Sequence, residues 1–217
     1  MWDFFFPSRC LSCGKGERKQ LGLCSCCLDQ VQWQGLGGCI CCGRIGCRQG
    51  CVPPDHGYRR VLALAAYYGP WRSLVLALKN GRDLAVARQV AKQLVALAGQ
   101  AGMSSPDVVT APPGAGKVLW GRPLAAAMAG ETAKLVEARL FNGLMRRPGR
   151  PAQVELDSCR RLEGLTEHLY LQNEHLVYGK AVWLVDDVFT TGGTAAACTE
   201  KLLAAGASGV WVIASAA

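Results

Sequence analysis

Ala181-Val182-Trp183-Leu184-Val185-Asp186-Asp187-Val188-Phe189-Thr190-Thr191-Gly192-Gly193-Thr194 is the stretch from which the architecture of this chain is read. Residues 181–185 form an unbroken apolar run, the pattern of a strand covered on both faces, as in parallel sheets. Helical spacing follows over 194–205, Gly206 closes it, and 209–214 reads as a last buried strand. Strand, helix and strand in that order imply parallel pairing through a crossover helix.

In an open parallel sheet, ligands sit beyond the carboxyl ends of the strands. Asp186 and Asp187 fall at that end. Two carboxylates there can accept hydrogen bonds from the vicinal hydroxyls of a ribose. Gly192 and Gly193 let backbone N–H groups close on a phosphate, and Thr190, Thr191 and Thr194 add hydroxyl donors. The helix N-terminus contributes positive potential. A capped turn explains one Asp or one Gly pair. It does not explain two carboxylates, three threonines and two glycines together.

Working outward, 61–68 is strand-like and 74–79 reads as a short helix. The segment 84–98 places Ala87, Val90, Ala91, Leu94, Leu97 and Ala98 on one helical face. A strand is expected at 107–111, then a Pro-Pro-Gly-Ala-Gly loop, then an Ala-rich helix over 123–137. The basic, aperiodic segment 146–161 reads as a loop. Composition shifts near residue 57, after Val52-Pro53-Pro54-Asp55-His56-Gly57, so two parts are expected: a Cys-rich part, 1–57, and an α/β domain, 58–217.

Ten of the twelve cysteines lie between Cys10 and Cys51. Cys10-x2-Cys13, Cys24-x2-Cys27, Cys39-x2-Cys42 and Cys47-x3-Cys51 form four knuckles, with Gly14 and Gly43 placed to free the backbone after two of them. Two thiolates on each of two turns complete a tetrahedron, so eight ligands suit two structural Zn²⁺ ions. The spacing leaves open whether the fours group in sequence order or cross over. No export signal is evident in the opening residues, and no apolar run reaches the ~18–20 residues that span a bilayer. A cytoplasmic setting, where dense disulfides would be reduced, is therefore expected and favours metal over disulfides. The formal charge of +8 favours polyanionic partners.

The acidic strand tip and Thr-Gly bend closely resemble the phosphoribosyl-diphosphate (PRPP) motif of type I phosphoribosyltransferases. The aromatic-proline start, the two knuckle pairs and this C-terminal motif together resemble the ComF family of competence proteins over essentially the whole chain. Ala77-Leu78-Lys79-Asn80-Gly81-Arg82 is similar to that family's Leu-Lys-x-x-Gly segment, and Gln153-x2-Leu156 followed by Arg161 is a further match. The resemblance implies a type I phosphoribosyltransferase-like parallel sheet with a small N-terminal zinc-binding domain. It implies that Asp186 and Asp187 contact ribose hydroxyls, that 190–194 holds the 5-phosphate, and that Mg²⁺ accompanies PRPP. It also implies a role in natural transformation with single-stranded DNA, alongside other competence-machinery proteins. Trp33, Tyr58, Tyr67, Tyr68 and Trp71 are candidate stacking surfaces for such a strand.

Departures from the family pattern fall around the pyrophosphate and flexible loops. Thr110-Ala111-Pro112 stands for Pro-Val-Pro, Trp120-Gly121-Arg122-Pro123-Leu124 for Arg-Gly-Phe-Asn-Gln, and Gly164 for an Asn. Lys79, Lys117, Arg122 and Arg161 remain the candidates for holding a pyrophosphate. Three activities follow for test: PRPP and DNA binding in competence, transfer of ribose-5-phosphate to an unidentified acceptor, or sensing of PRPP as a regulator.

Overall fold

The computed structural model describes residues 9–47, 51, 56–80, 83–114, 123–147 and 168–217. Five strands form a parallel sheet in the order β1-β7-β6-β2-β3. They are β1 (Arg60–Ala65), β2 (Val108–Thr110), β3 (Arg139–Leu140), β6 (Ala181–Val188) and β7 (Gly209–Ala216). A separate antiparallel pair joins β4 (Leu144–Arg146) to β5 (Leu169–Leu171). Among the described residues the α-helices are α1 (Ser25–Leu28), α2 (Gly69–Lys79), α3 (Leu84–Gln100), α4 (Leu124–Leu135) and α5 (Gly193–Ala204).

The buried run at 182–185 divides between the two sheet faces by simple alternation. Trp183 and Val185 join the core beneath α3 and α4, while Val182 and Leu184 join the core beneath α5. All six residues read as the apolar face of α3 are buried. A central parallel strand covered on both sides is what the sequence pattern requires, and the sheet has that form.

Element ends differ from the sequence reading for identifiable reasons. α2 begins at Gly69 rather than at residue 74, because Pro70 sits in the first turn, where its missing N–H leaves no intrahelical bond unmade. β1 stops at Ala65, since Tyr67 and Tyr68 bond instead to the carbonyls of Ala217 and Ala66. β6 runs on to Val188, so both carboxylates lie within the ladder, with Asp186 paired to Ala214. The short strands β3, β4 and β5 were not anticipated; none is long enough to show a period. The segment 148–161 of the expected loop, and 52–55 of the expected linker, lie outside the described residues.

The cysteine-rich segment lies along the free edge of β1. Gln34 donates its N–H to Leu64, Ala66 to Gln32 and Val61 to Ile40, at 2.7–2.9 Å. Trp33 bridges Ala65 in antiparallel fashion. Edge N–H and C=O groups left open would template further pairing; here the segment satisfies them.

Candidate functional site

The carboxyl end of β6 carries the acidic pair, and alternation along the strand sends the two side chains to opposite faces. Asp187 turns toward α2, where its Oδ1 lies 2.9 Å from Lys79 Nζ. Asp186 turns toward α5 and is half-buried. Burial and the neighbouring charge of Asp187 push its carboxyl up to about 7, against the opposing pull of the Asp187 N–H and Lys79. That N–H donates to Asp186 Oδ1 at 2.8 Å. Behind Asp186, burial followed by the Asp186 charge pushes the Cys198 thiol up to about 12.

A hydrogen-bonded chain fixes this strand tip. Trp71, fully buried in α2, donates Nε1–H to the Ser215 carbonyl at 2.8 Å, and Ser215 Oγ donates to the Asp187 carbonyl at 2.8 Å. The helix that carries Lys79 and the strand that carries Asp187 are thereby tied to β7. Trp71 was read in the sequence only as a candidate stacking surface and Ser215 not at all; only the fold brings them to this strand tip.

The bend after β6 is anchored and then open. Phe189 is buried and donates its N–H to Ala216 at 2.8 Å. Arg44 Nη2 donates to the carbonyl of Thr190 and lies 3.4 Å from that of Phe189. Gly192 has φ +80°, a left-handed conformation open to glycine at no steric cost. It caps α5, whose first backbone bond runs from Ala196 to the Gly192 carbonyl at 2.8 Å. The amides of Gly193, Thr194 and Ala195 thus precede the helical ladder. Thr190, Thr191 and Thr194 are exposed. The result is a run of hydroxyl and amide donors beside two carboxylates, able to take an anion and a diol together.

Of the cationic candidates, Lys79 reaches the acidic pair, while Lys117, Arg122 and Arg161 lie outside the described residues. Lys79 also borders a cleft of about 670 Å³ lined by Leu78, Ala87, Leu124, Ala127 and Leu140. Among the aromatic candidates, Tyr58 and Trp71 are core residues and offer no face to a strand. Trp33 at 45% and Tyr68 at 70% exposure do offer one, and Arg72 lies over the Tyr67 ring at 5.8 Å.

The eight knuckle cysteines gather in sequence order: Cys10, Cys13, Cys24 and Cys27 in one group, Cys39, Cys42, Cys47 and Cys51 in the other. Within each group all Sγ atoms lie within 4.8 Å of one another. Cys13 and Cys24 Sγ are 3.8 Å apart and Cys39 and Cys51 Sγ 3.9 Å, against about 3.8 Å between thiolates on a tetrahedral ion with ~2.3 Å bonds. Backbone N–H groups of Gly16 and Lys15 hold the Cys13 thiol down at about 6, whereas burial and the neighbouring thiols push Cys27 up to about 12. Four thiols so crowded resist ionising together unless a cation balances them. Each group can hold a structural metal ion, and a four-thiolate set leaves no open position for catalysis.

No helix among the described residues is long and apolar enough to cross a membrane. No protein-family model and no curated protein matches the chain. Solved structures similar to part of it include the following two. One is the allosteric regulatory enzyme of purine biosynthesis, with 24% identity and a TM-score of 0.40 over 58% of this chain. The other is the glutamine phosphoribosylpyrophosphate amidotransferase from B. subtilis complexed with ADP and GMP, with 23% identity and a TM-score of 0.37 over the same share. The matched part spans about a quarter of those two chains, 25% and 26%.

Proposed function

We propose that this chain is a ComF-type competence protein that binds PRPP, or a related 5-phosphorylated ribose, at residues 186–194. One observation carries the reading: a carboxylate pair at a strand tip stands directly before an open bend of threonine hydroxyls and helix-start amides. In this reading Asp186 and Asp187 accept the ribose hydroxyls, and Thr190, Thr191, Gly192, Gly193 and Thr194 hold the 5-phosphate. Lys79, already within 2.9 Å of Asp187, meets the pyrophosphate, with Lys117, Arg122 and Arg161 adding positive charge. Hard carboxylate oxygens suit the Mg²⁺ that PRPP brings, which neutralises the pyrophosphate when bound. The two cysteine groups hold structural Zn²⁺, so residues 1–57 serve as the metal-holding part and 58–217 as the ligand-holding part.

The formal charge of +8 and the exposed Trp33 and Tyr68 support a second partner, single-stranded DNA, in the cytoplasm beside other competence proteins. Calorimetric titration with PRPP and Mg²⁺ tests the ligand: saturable binding is expected, with at least tenfold loss in Asp187→Asn. Fluorescence anisotropy with a labelled oligonucleotide tests the strand: affinity should fall steeply as salt rises. Absence of binding at low salt removes the DNA partner.

A second reading, transfer of ribose-5-phosphate to an acceptor, is favoured by Lys79, which pairs with Asp187 and also borders the cleft of about 670 Å³. Departure of pyrophosphate as positive charge grows at ribose C1 would be assisted by such cations. Pyrophosphate release dependent on an added base or amine distinguishes it; PRPP binding without release across common acceptors leaves the binding role.

A further inference from the structure

The second cysteine group reaches the ligand bend directly. Arg44 stands two residues beyond Cys42, and its backbone is fixed by the knuckle itself: Cys39 N–H donates to the Arg44 carbonyl at 3.0 Å, and Gly43 N–H to the Cys39 carbonyl at 2.7 Å. Gly43, at φ +75°, lies flat on β1, where a Cβ would stand 3.0 Å from Ala63 Cβ and 3.2 Å from Val61 Cγ1. From this seat the guanidinium holds the Thr190 carbonyl and borders that of Phe189. A second link runs alongside. Tyr58 Oη donates to the Cys41 carbonyl at 3.0 Å, and its ring meets Phe189 edge-to-face with centroids 6.0 Å apart.

These two grips fall on Phe189 and Thr190, where the bend begins. A carbonyl held by Arg44 cannot swing toward a bound anion, which leaves N–H groups and hydroxyls to line the bend. A guanidinium is suited to the task because its planar donors can serve neighbouring oxygens at once. We propose that Arg44 is a positioning residue for the 190–194 bend, seated by the second cysteine group, so that the integrity of that group sets affinity for a phosphorylated ligand. The affinity part rests on the PRPP reading above; the ordering of the bend does not.

Hydrogen-exchange mass spectrometry on the ligand-free protein tests the ordering, and calorimetry with PRPP and Mg²⁺ tests the consequence. In Arg44→Ala, amides of Phe189 and Ala196 should exchange roughly tenfold faster while β7 peptides are unchanged, and the PRPP dissociation constant should rise roughly tenfold, as expected for loss of a charged hydrogen bond. Arg44→Lys should recover part of both, and zinc content should stay at the wild-type value in each. Cys42→Ser should loosen the same amides, whereas Arg9→Ala, on the first cysteine group, should alter neither reading. Unchanged exchange in Arg44→Ala overturns the inference, and an affinity loss without faster exchange does so too, since Arg44 would then touch the ligand instead of placing the bend. Unchanged exchange in Cys42→Ser removes the cysteine group's part. If wild-type protein fails to bind PRPP, the ligand reading falls, and the exchange result alone decides Arg44.

Discussion

Asp186 is at odds with its surroundings, and that conflict can be measured. Its carboxyl is held up near 7, whereas an unfolded chain loses the same proton near 4. The folded state therefore keeps a proton that the unfolded state has released, and stability contributed by the neutral acid is lost as pH rises from about 4 through 7. Asp186→Asn should stabilise the protein by about 1–3 kcal/mol at pH 8 and by nothing at pH 4, read from denaturant melts. The same variant should bind PRPP more weakly. Wild-type affinity should improve as pH rises through 7, beyond what the ligand phosphate's own second ionisation near 6 explains, and Asp186→Asn should show only the ligand's part. Lys79→Met should push the Asp186 midpoint higher still, because it removes a charge that favours the carboxylate. The acidic pair and the threonines were legible because adjacent residues carry the whole pattern. The Arg44 contact was not, since its partner lies 145 residues away and nothing local marks an arginine for it.

At the scale of elements, helix periodicity was the most readable signal. All six residues read as the apolar face of α3 are buried, and Val86 joins them, because burial on one side of a long helix imposes that spacing. The edge made by residues 32–40 was not legible; its bonds to β1 are backbone bonds and leave no pattern in the side chains. α3 also shows how the cysteine segment is fastened. Asp83 caps it by accepting the Val86 N–H at 3.0 Å and pairs with Arg18 of that segment. Leu21 N–H donates to Gln89 Oε1 at 2.8 Å one turn further on. Asp83→Ala should cost about 1–2 kcal/mol, a fall in Tm of roughly 3–6 °C by calorimetry.

Across the whole molecule, the two cysteine groups straddle the sheet. Cys10, Cys24 and Cys27 belong to the core beneath α3, and Cys42 to the core beneath α5. Metal loss should therefore disturb both faces and not a detached appendage. Elemental analysis should find two zinc ions per chain, and a strong chelator should lower Tm by 10 °C or more, since metal bound by the folded state adds directly to its stability. What the sequence offered at this scale was composition: it separated a cysteine-rich part from an apolar one but could not say where the first docks, because docking depends on contacts between residues far apart in the chain.

The strand tip and bend should recognise a sugar and its phosphate together. Parallel calorimetric titrations with ribose-5-phosphate, ribose and inorganic phosphate test this most directly, in wild type and in Gly192→Ala, whose left-handed φ a side chain adopts only with strain. Ribose-5-phosphate should bind at least tenfold more tightly than either fragment, and Gly192→Ala should abolish the difference. Equal affinity for ribose-5-phosphate and free phosphate, or binding indifferent to Gly192→Ala, would contradict it.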